Sequence, residues 1–303
     1  MKRKRIHTTF TKMTVAFVAF GMTPLLLLSI LFFARYMNSM QETMISNYSQ
    51  INRYFAQNVE DVIIPADMAM KRLYEYETES GEGLSVVLKD KKMSDSERAI
   101  HVMNALHEVM AQSEYISSER FVDVKGKVYS LYSDQNKTLR NDAGFYSQMS
   151  VIEEENMRDL KILRTTEESN ICVNSDDFVF VLVRNFMDTS SIKNVYSNPL
   201  GTLFVDINVE RVDSLVKKLD LNKGSFYVYN PEDNHYIYSQ DRKDYMDGRN
   251  PLKFARDILK GESGYEKRGD QWVFYQQIAT TDEYAVLCLH KSEIIGDFSR
   301  PGQ

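Results

Sequence analysis

Two periodicities divide the chain. From Met13 to Ala34 runs MTVAFVAFGMTPLLLLSILFFA, uncharged throughout; about 20 apolar residues suffice to cross the hydrocarbon core of a bilayer, so this run predicts a membrane-spanning helix. Beyond it, Ile45, Tyr48, Asn52, Phe55, Val59, Val62, Ala66, Ala69, Leu73 and Tyr76 fall at alternating steps of three and four. That spacing places them on one seam of a long helix. The membrane-near half of the seam is expected to pair with a second copy of the chain, with Asn52 setting register, and the far half to pack on its own fold, with Pro65 kinking the helix between them. At 1.5 Å per residue the stalk reaches roughly 60 Å.

After a polar break from Glu77 to Lys92, Ser94 with Glu97 forms a capping box that opens a helix through Met110. Strand patterns follow. Phe121–Val124, a Lys125-Gly126 turn and Val128–Tyr132 predict a hairpin. A polar loop and short helix are expected over 141–155, with strands at 160–164 and 170–173, and the strongest strand signals at Phe178–Val183 and Thr202–Ile207. Asn208–Leu219 is amphipathic and helical in period. A second set begins at Gly224: a hairpin of Ser225–Tyr229 and His235–Tyr238, a helix over Pro251–Lys260, then strands at Gly264–Lys267, Gln271–Gln276 and Tyr284–Leu289. Strands in series with helices set apart predict an α+β fold of antiparallel sheets. The same rough order of elements occurs twice.

Lys2, Arg3, Lys4, Arg5 and Lys12 precede the apolar run. Positive charge is retained on the cytoplasmic side, so the N-terminus is expected inside and everything after residue 35 outside, at the cell membrane. A secretory signal peptide also begins basic and apolar, but its apolar core is about 7–15 residues and ends at a small-x-small site. Here the run is longer and continues into Arg35-Tyr36-Met37-Asn38. Pro24 within the span removes one backbone hydrogen bond and predicts a kink.

Charge sharpens this division. None of the 43 acidic residues and six of the 37 basic ones lie at or before Arg35, so the remainder carries −12 although the whole chain carries −6. Such a surface excludes nucleic acid as a partner, whose phosphates call for a basic face. Cys172 and Cys288 are far apart, with no CxxC or Cys/His spacing, and read as two buried thiols, the alternative being a disulfide formed outside the cytoplasm.

The sequence holds no catalytic or cofactor signature: no GxSxG, HExxH, phosphate-binding loop or kinase motif. His101 and His107, six apart on one helix, face different sides. Asp241, Asp244 and Asp247 lack the every-second-residue spacing of a calcium loop. Arg268-Gly269-Asp270 falls where a turn between two strands is expected. No enzyme activity, metal or cofactor is expected.

The double unit behind a membrane stalk resembles the double Cache sensor domains of bacterial transmembrane receptors, and is most similar to those of sensor histidine kinases of Gram-positive bacteria. The stretches that carry it are GTLFVDINVERVDSLVKKL (Gly201–Leu219), GSFYVYNPEDNHYIYSQDRKDYMDGRN and GYEKRGDQWVFYQQIATTDEYAVLCLHKSEI, within a likeness over roughly 36–298. The resemblance implies a PAS-like antiparallel sheet in each of two modules and a small-molecule pocket in the membrane-distal one. It divides the chain into a basic terminus (1–12), a transmembrane helix (13–35), a stalk helix (36–78), a distal module (79–220) and a proximal module (221–298). Members that sense amino acids use an Arg two residues before an aromatic pair, and an Asp in the strand leading out of the distal module. Phe145-Tyr146 resembles the pair and Asp206 falls on the Asp position, but the Arg position is Ala143, leaving Arg140 or Arg184 to supply a positive charge. With Tyr132, the expected ligand-binding set is Tyr132, Arg140, Phe145, Tyr146, Arg184 and Asp206.

The family continues into a second membrane helix and a cytoplasmic kinase or methyl-accepting region, whereas this chain ends at Ser299–Gln303, which reads as a fragment or as a sensor that cannot transmit alone. The expected function is therefore the signal-input part of a two-component sensor histidine kinase, a homodimer through the stalk that binds a small polar solute. The competing reading is a membrane-anchored protein-binding or adhesion module without a small ligand.

Overall fold

The computed structural model describes residues 2–134, 138–139, 160–167, 172–173, 177–188, 199–219, 224–232, 234–246, 255–259 and 261–293. They fall into two units, Met1–Gln50 and Ile51–Gln303. In the first, α1 (Lys2–Phe17) passes through a π-helical turn at Val18–Met22 into α2 (Thr23–Lys71). The π turn lies just before Pro24, whose missing N–H and bulky ring disfavour a regular α-turn there, so the expected kink position is a widened turn with the Thr23 hydroxyl donating to the Val18 carbonyl at 2.9 Å. Among the described residues one helical stretch, Thr9–Tyr74, is long and apolar enough to cross a membrane, and its most apolar window is unburied.

In the second unit the seam of α2 is buried at Asn52, Phe55, Val59, Val62, Ala66 and Ala69, with Leu73 following in a 3-10 turn (Arg72–Tyr74). This corrects the expected division of labour along the stalk. Burial runs unbroken on both sides of Pro65, so from Asn52 onward the seam is already occupied by the chain's own fold. Phe55 meets Phe226 at 4.8 Å between ring centroids, and the Asn52 amide donates to the Ala285 carbonyl at 3.0 Å. Asn52 thus serves an internal contact and is closed to a helix partner.

Then come α3 (Leu84–Lys89) and α4 (Asp95–Ala111), the latter capped by the Ser94 hydroxyl, which accepts from the Glu97 N–H. Two five-stranded antiparallel sheets follow. The first contains β1 (Ile116–Asp123), β2 (Val128–Tyr132), β4 (Lys161–Glu167), β6 (Phe178–Met187) and β7 (Pro199–Asn208), in the order β2-β1-β7-β6-β4. A two-stranded pairing joins β3 (Thr138–Leu139) to β5 (Cys172–Val173). From β7 the chain enters α5 (Val209–Lys218), capped by the Asn208 side chain.

The second sheet contains β8 (Ser225–Asn230), β9 (His235–Ser239), β10 (Ser263–Arg268), β11 (Gln271–Gln277) and β12 (Tyr284–His290), in the order β10-β11-β12-β8-β9. Between β9 and β10 lie α6 (Lys243–Met246) and α7 (Ala255–Ile258); of the helix expected over Pro251–Lys260, Leu259 is not helical, and 251–254 and 260, like 141–155, lie outside the described residues. The two sheets remain separate, as two PAS-like modules require. At the β10–β11 turn Gly269 takes a φ of 62°, so the Arg268-Gly269-Asp270 tripeptide is a hairpin tip.

β1 begins five residues earlier than its apolar signal. Its first half, Ile116-Ser-Ser-Glu-Arg120, reads as a loop by composition, yet Ser118, Glu119 and Arg120 are buried.

Candidate functional site

Register across the first sheet lines up the polar residues of one face. Tyr132 on β2 stands opposite Ser118 on β1, Ser118 opposite Asp206 on β7, Asp206 opposite Val181 on β6, and Val181 opposite Leu163 on β4. The next row on the same face is Ser130, Arg120, Phe204, Val183 and Lys161. Tyr132 and Asp206, both expected at the site, therefore share a face and a row. The floor beneath the polar groups is apolar: Val181, Val183 and Phe204 form a buried cluster with Val122 and Leu163 packed against it.

A carboxylate in such surroundings requires a counter-charge and donors, because an unpaired buried ion is strongly unfavourable. Asp206 has both. The two terminal nitrogens of Arg120 donate to its two carboxylate oxygens, and the Ser118 hydroxyl donates to Oδ2. Arg120 and Asp206 are each 0% exposed. A guanidinium fork matches a carboxylate in this two-point fashion, and its charge assistance makes it one of the stronger polar contacts a protein can form. One row further, the Thr202 hydroxyl donates to the Asn185 side-chain oxygen at 2.7 Å.

Arg120 is the cation that sequence reasoning missed. Its signal was the alternation Ser118, Arg120, Val122, which places a polar pair on the same side of a strand as Asp206. Arg184, expected to supply charge to the site, does not. It stands opposite Leu203, and Asp206 stands opposite Val181, an odd step of three away along each strand, so strand alternation puts Arg184 on the other face. There Arg184 Nε donates to Asp67 of α2 at 3.0 Å, and Asp67 also holds Lys71 at 2.6 Å. The crevice that Arg184 lines with Leu73, Tyr74 and Phe186 has no room for a water molecule. Arg140, Phe145 and Tyr146 lie outside the described residues.

The helix-side face holds a buried acid. Glu119, between Leu131 and Val205 in register, is fully buried, and among the described residues its carboxyl oxygens have no partner within ordinary hydrogen-bond geometry. Burial pushes its pKa well above the ordinary carboxylate range, opposed in part by the nearby Met110 backbone. Just before β12, Glu283 is raised by burial in the same way despite the Asn230 amide at 3.2 Å, and in β8 burial raises Tyr227 to about 12. Cys288 is a free thiol, likewise pushed to about 12 by burial. Among the described residues no three His, Cys, Asp or Glu side chains gather as a metal site.

No protein-family model and no curated protein sequence matches this chain. Solved structures do. The extracellular domain of rpHK1S-Z16, which is named as a histidine kinase, superposes with a TM-score of 0.58 at 14% identity, over 85% of this chain and 97% of that one. The ligand-binding domain of the Campylobacter jejuni chemoreceptor Tlp3, in complex with 4-methylisoleucine, gives 0.56 at 13% identity, over 87% and 97%. The extracellular domain of vpHK1S-Z8, also named as a histidine kinase, gives 0.52 at 13%, over 88% and 97%. The chain therefore has the fold of extracytoplasmic sensor domains of chemoreceptors and histidine kinases, with two PAS-like sheets behind a long N-terminal helix.

Proposed function

We propose that this chain is the signal-input part of a membrane receptor of the two-component histidine kinase type, held in the cell membrane by residues 13–35 with its N-terminus cytoplasmic, and that it binds a small polar solute at the first, membrane-distal sheet. The observation that carries this reading is the row Tyr132–Ser118–Asp206 with Arg120 beside it. It is a polar strip on an apolar floor, on the sheet face opposite the one whose Arg184 meets α2. Binding sites for small molecules are built this way, with few polar groups set in apolar walls. Arg140, Phe145 and Tyr146, expected at the site from the family resemblance, remain part of this proposal. Because Arg120 neutralises Asp206, this pair leaves the row without net charge among the described residues, which suits a neutral polar solute better than a cation.

Ligand closure would bias the long helix, and coupling of about 1–3 kcal/mol is typical of such changes. With the α2 seam buried from Asn52 on, a homodimer through the stalk uses the opposite stripe, where Tyr54, Ile64 and Met68 are exposed.

Thermal-shift screening of the detergent-solubilised full chain against amino acids, sugars, nucleobases and organic acids tests the reading. A stabilising solute whose effect disappears in Tyr132→Ala and Tyr146→Ala is expected. A solute bound equally well by both variants places recognition elsewhere.

A further inference from the structure

The two sheets meet edge to edge. β4 is the outer strand of the first sheet and β9 the outer strand of the second. An open strand edge is a row of unpaired backbone groups that invites other strands to add. Here each edge shelters the other without forming a ladder among the described residues. The fastener at the centre is Thr165 of β4, whose hydroxyl donates to the Ile237 carbonyl of β9 at 2.6 Å. Both residues are buried.

Two further contacts flank it. The hydroxyl of Tyr238, the next residue on β9, donates to Asp213 of α5 at 2.8 Å, while its ring lies 6.0 Å from Phe55 of α2. Tyr238 thus touches the connecting helix and the long helix at once. Just past β9, the Arg242 guanidinium sits over the Phe178 ring at the start of β6, 5.4 Å from its centroid, with Asp213 at 3.7 Å and Glu210 at 3.6 Å. Those ion pairs are long and solvated and contribute little. The Thr165 hydroxyl is different, because it satisfies a buried backbone carbonyl that would otherwise be sealed without a donor, while the Tyr238 hydroxyl adds a short bond to the partly exposed Asp213.

We propose that this β4–β9 seam is a mechanical latch. It makes the two sheets move and unfold as one body, so that a displacement in the first sheet passes to the second, and to α2 through Tyr238 and Phe55, across the seam as well as through α5. That all of Ile51–Gln303 forms one compact unit is consistent with it. Its use in signalling rests on the sensor reading; the latch itself is tested without any ligand.

Trp272, the chain's single tryptophan, lies in β11 and reports the second sheet alone. Urea unfolding of the full chain in detergent is followed by Trp272 fluorescence and by hydrogen exchange of β6 and β7 amides, which report the first sheet. In the unmodified protein the two midpoints are expected to coincide. In Thr165→Val combined with Tyr238→Phe, which keep size and shape, they are expected to separate by roughly 0.5 M urea or more. Lys217→Ala, on the solvated side of α5, leaves them together. Midpoints already apart in the unmodified protein, or still coincident in the double variant, overturn the latch whether or not the first sheet binds a solute.

Discussion

Arg120 and Asp206 sit on neighbouring strands, β1 and β7, one residue row apart, and lock together through both guanidinium ends with no surface on either side chain open to solvent. Such a pair is a liability if split and neutral if replaced whole. Breaking a buried pair by removing one partner typically destabilises by about 3–5 kcal/mol, because the other charge is stranded. Arg120→Ala and Asp206→Ala are each expected to lose stability in that range, and Arg120→Met with Asp206→Leu to recover most of it. Urea denaturation of the three variants checks this; a double variant as weak as either single one would show that the pair contributes more than mutual neutralisation.

Glu119 predicts a pH dependence with a definite sign. Its folded pKa is raised above the ordinary 4.5. Below that value both folded and unfolded states hold the proton, and the full stability is present. As pH rises from there toward the folded pKa, the unfolded state releases the proton and the folded state keeps it, so stability falls by at most about 1.4 kcal/mol per pH unit. Glu119→Gln removes this slope. Melting temperatures across pH 4 to 9 are expected to show the variant gaining on the parent as pH rises; parallel curves would contradict the buried, neutral acid.

The packing of α2 can be separated from its pairing. Asn52→Ala deletes the amide that reaches the Ala285 carbonyl and is expected to cost about 1–2 kcal/mol while leaving the oligomeric state unchanged. Met68→Glu, at a position 61% exposed, is expected to leave the fold intact and weaken the proposed dimer. Light scattering alongside denaturation distinguishes the two; dissociation by Asn52→Ala would restore the seam itself as the dimer contact.

At Gly201, where β7 passes β1, an added Cβ would come within 2.3 Å of the Phe121 ring and 2.7 Å of the Val122 carbonyl. Gly201→Ala is therefore expected to destabilise by about 1–3 kcal/mol through overpacking. Gly126→Ala has open space around it but a φ of 79°, so it is expected to cost only the local strain of about 1 kcal/mol. Equal losses at the two positions would argue against the close strand approach at Gly201.

Much of the fold is legible in the sequence. The Met13–Ala34 run, the three-and-four seam and the paired strand signals are local patterns, and local patterns decide whether a segment is a helix or a strand and which of its sides is apolar. Asp206 was singled out differently, by the family resemblance, which implies an Asp in the strand leading out of the distal module. β1 was half hidden because Ser118, Glu119 and Arg120 are polar residues in buried positions, and composition cannot say that a charge has a partner 86 residues away in the chain.

What the sequence by itself determined was the order and type of most elements, the long apolar helix and the presence of two antiparallel sheets; α3, inside the stretch read as a polar break, was not among them. Only the tertiary structure decided which charges meet. Strand register put Arg120 against Asp206 and sent Arg184 to Asp67, and the burial of Asn52 turned an expected oligomer contact inward. The physical reason is range: hydrophobic period acts over a few residues, whereas pairing across a sheet depends on which strands become neighbours and on a register in which a single-residue slip exchanges the two faces.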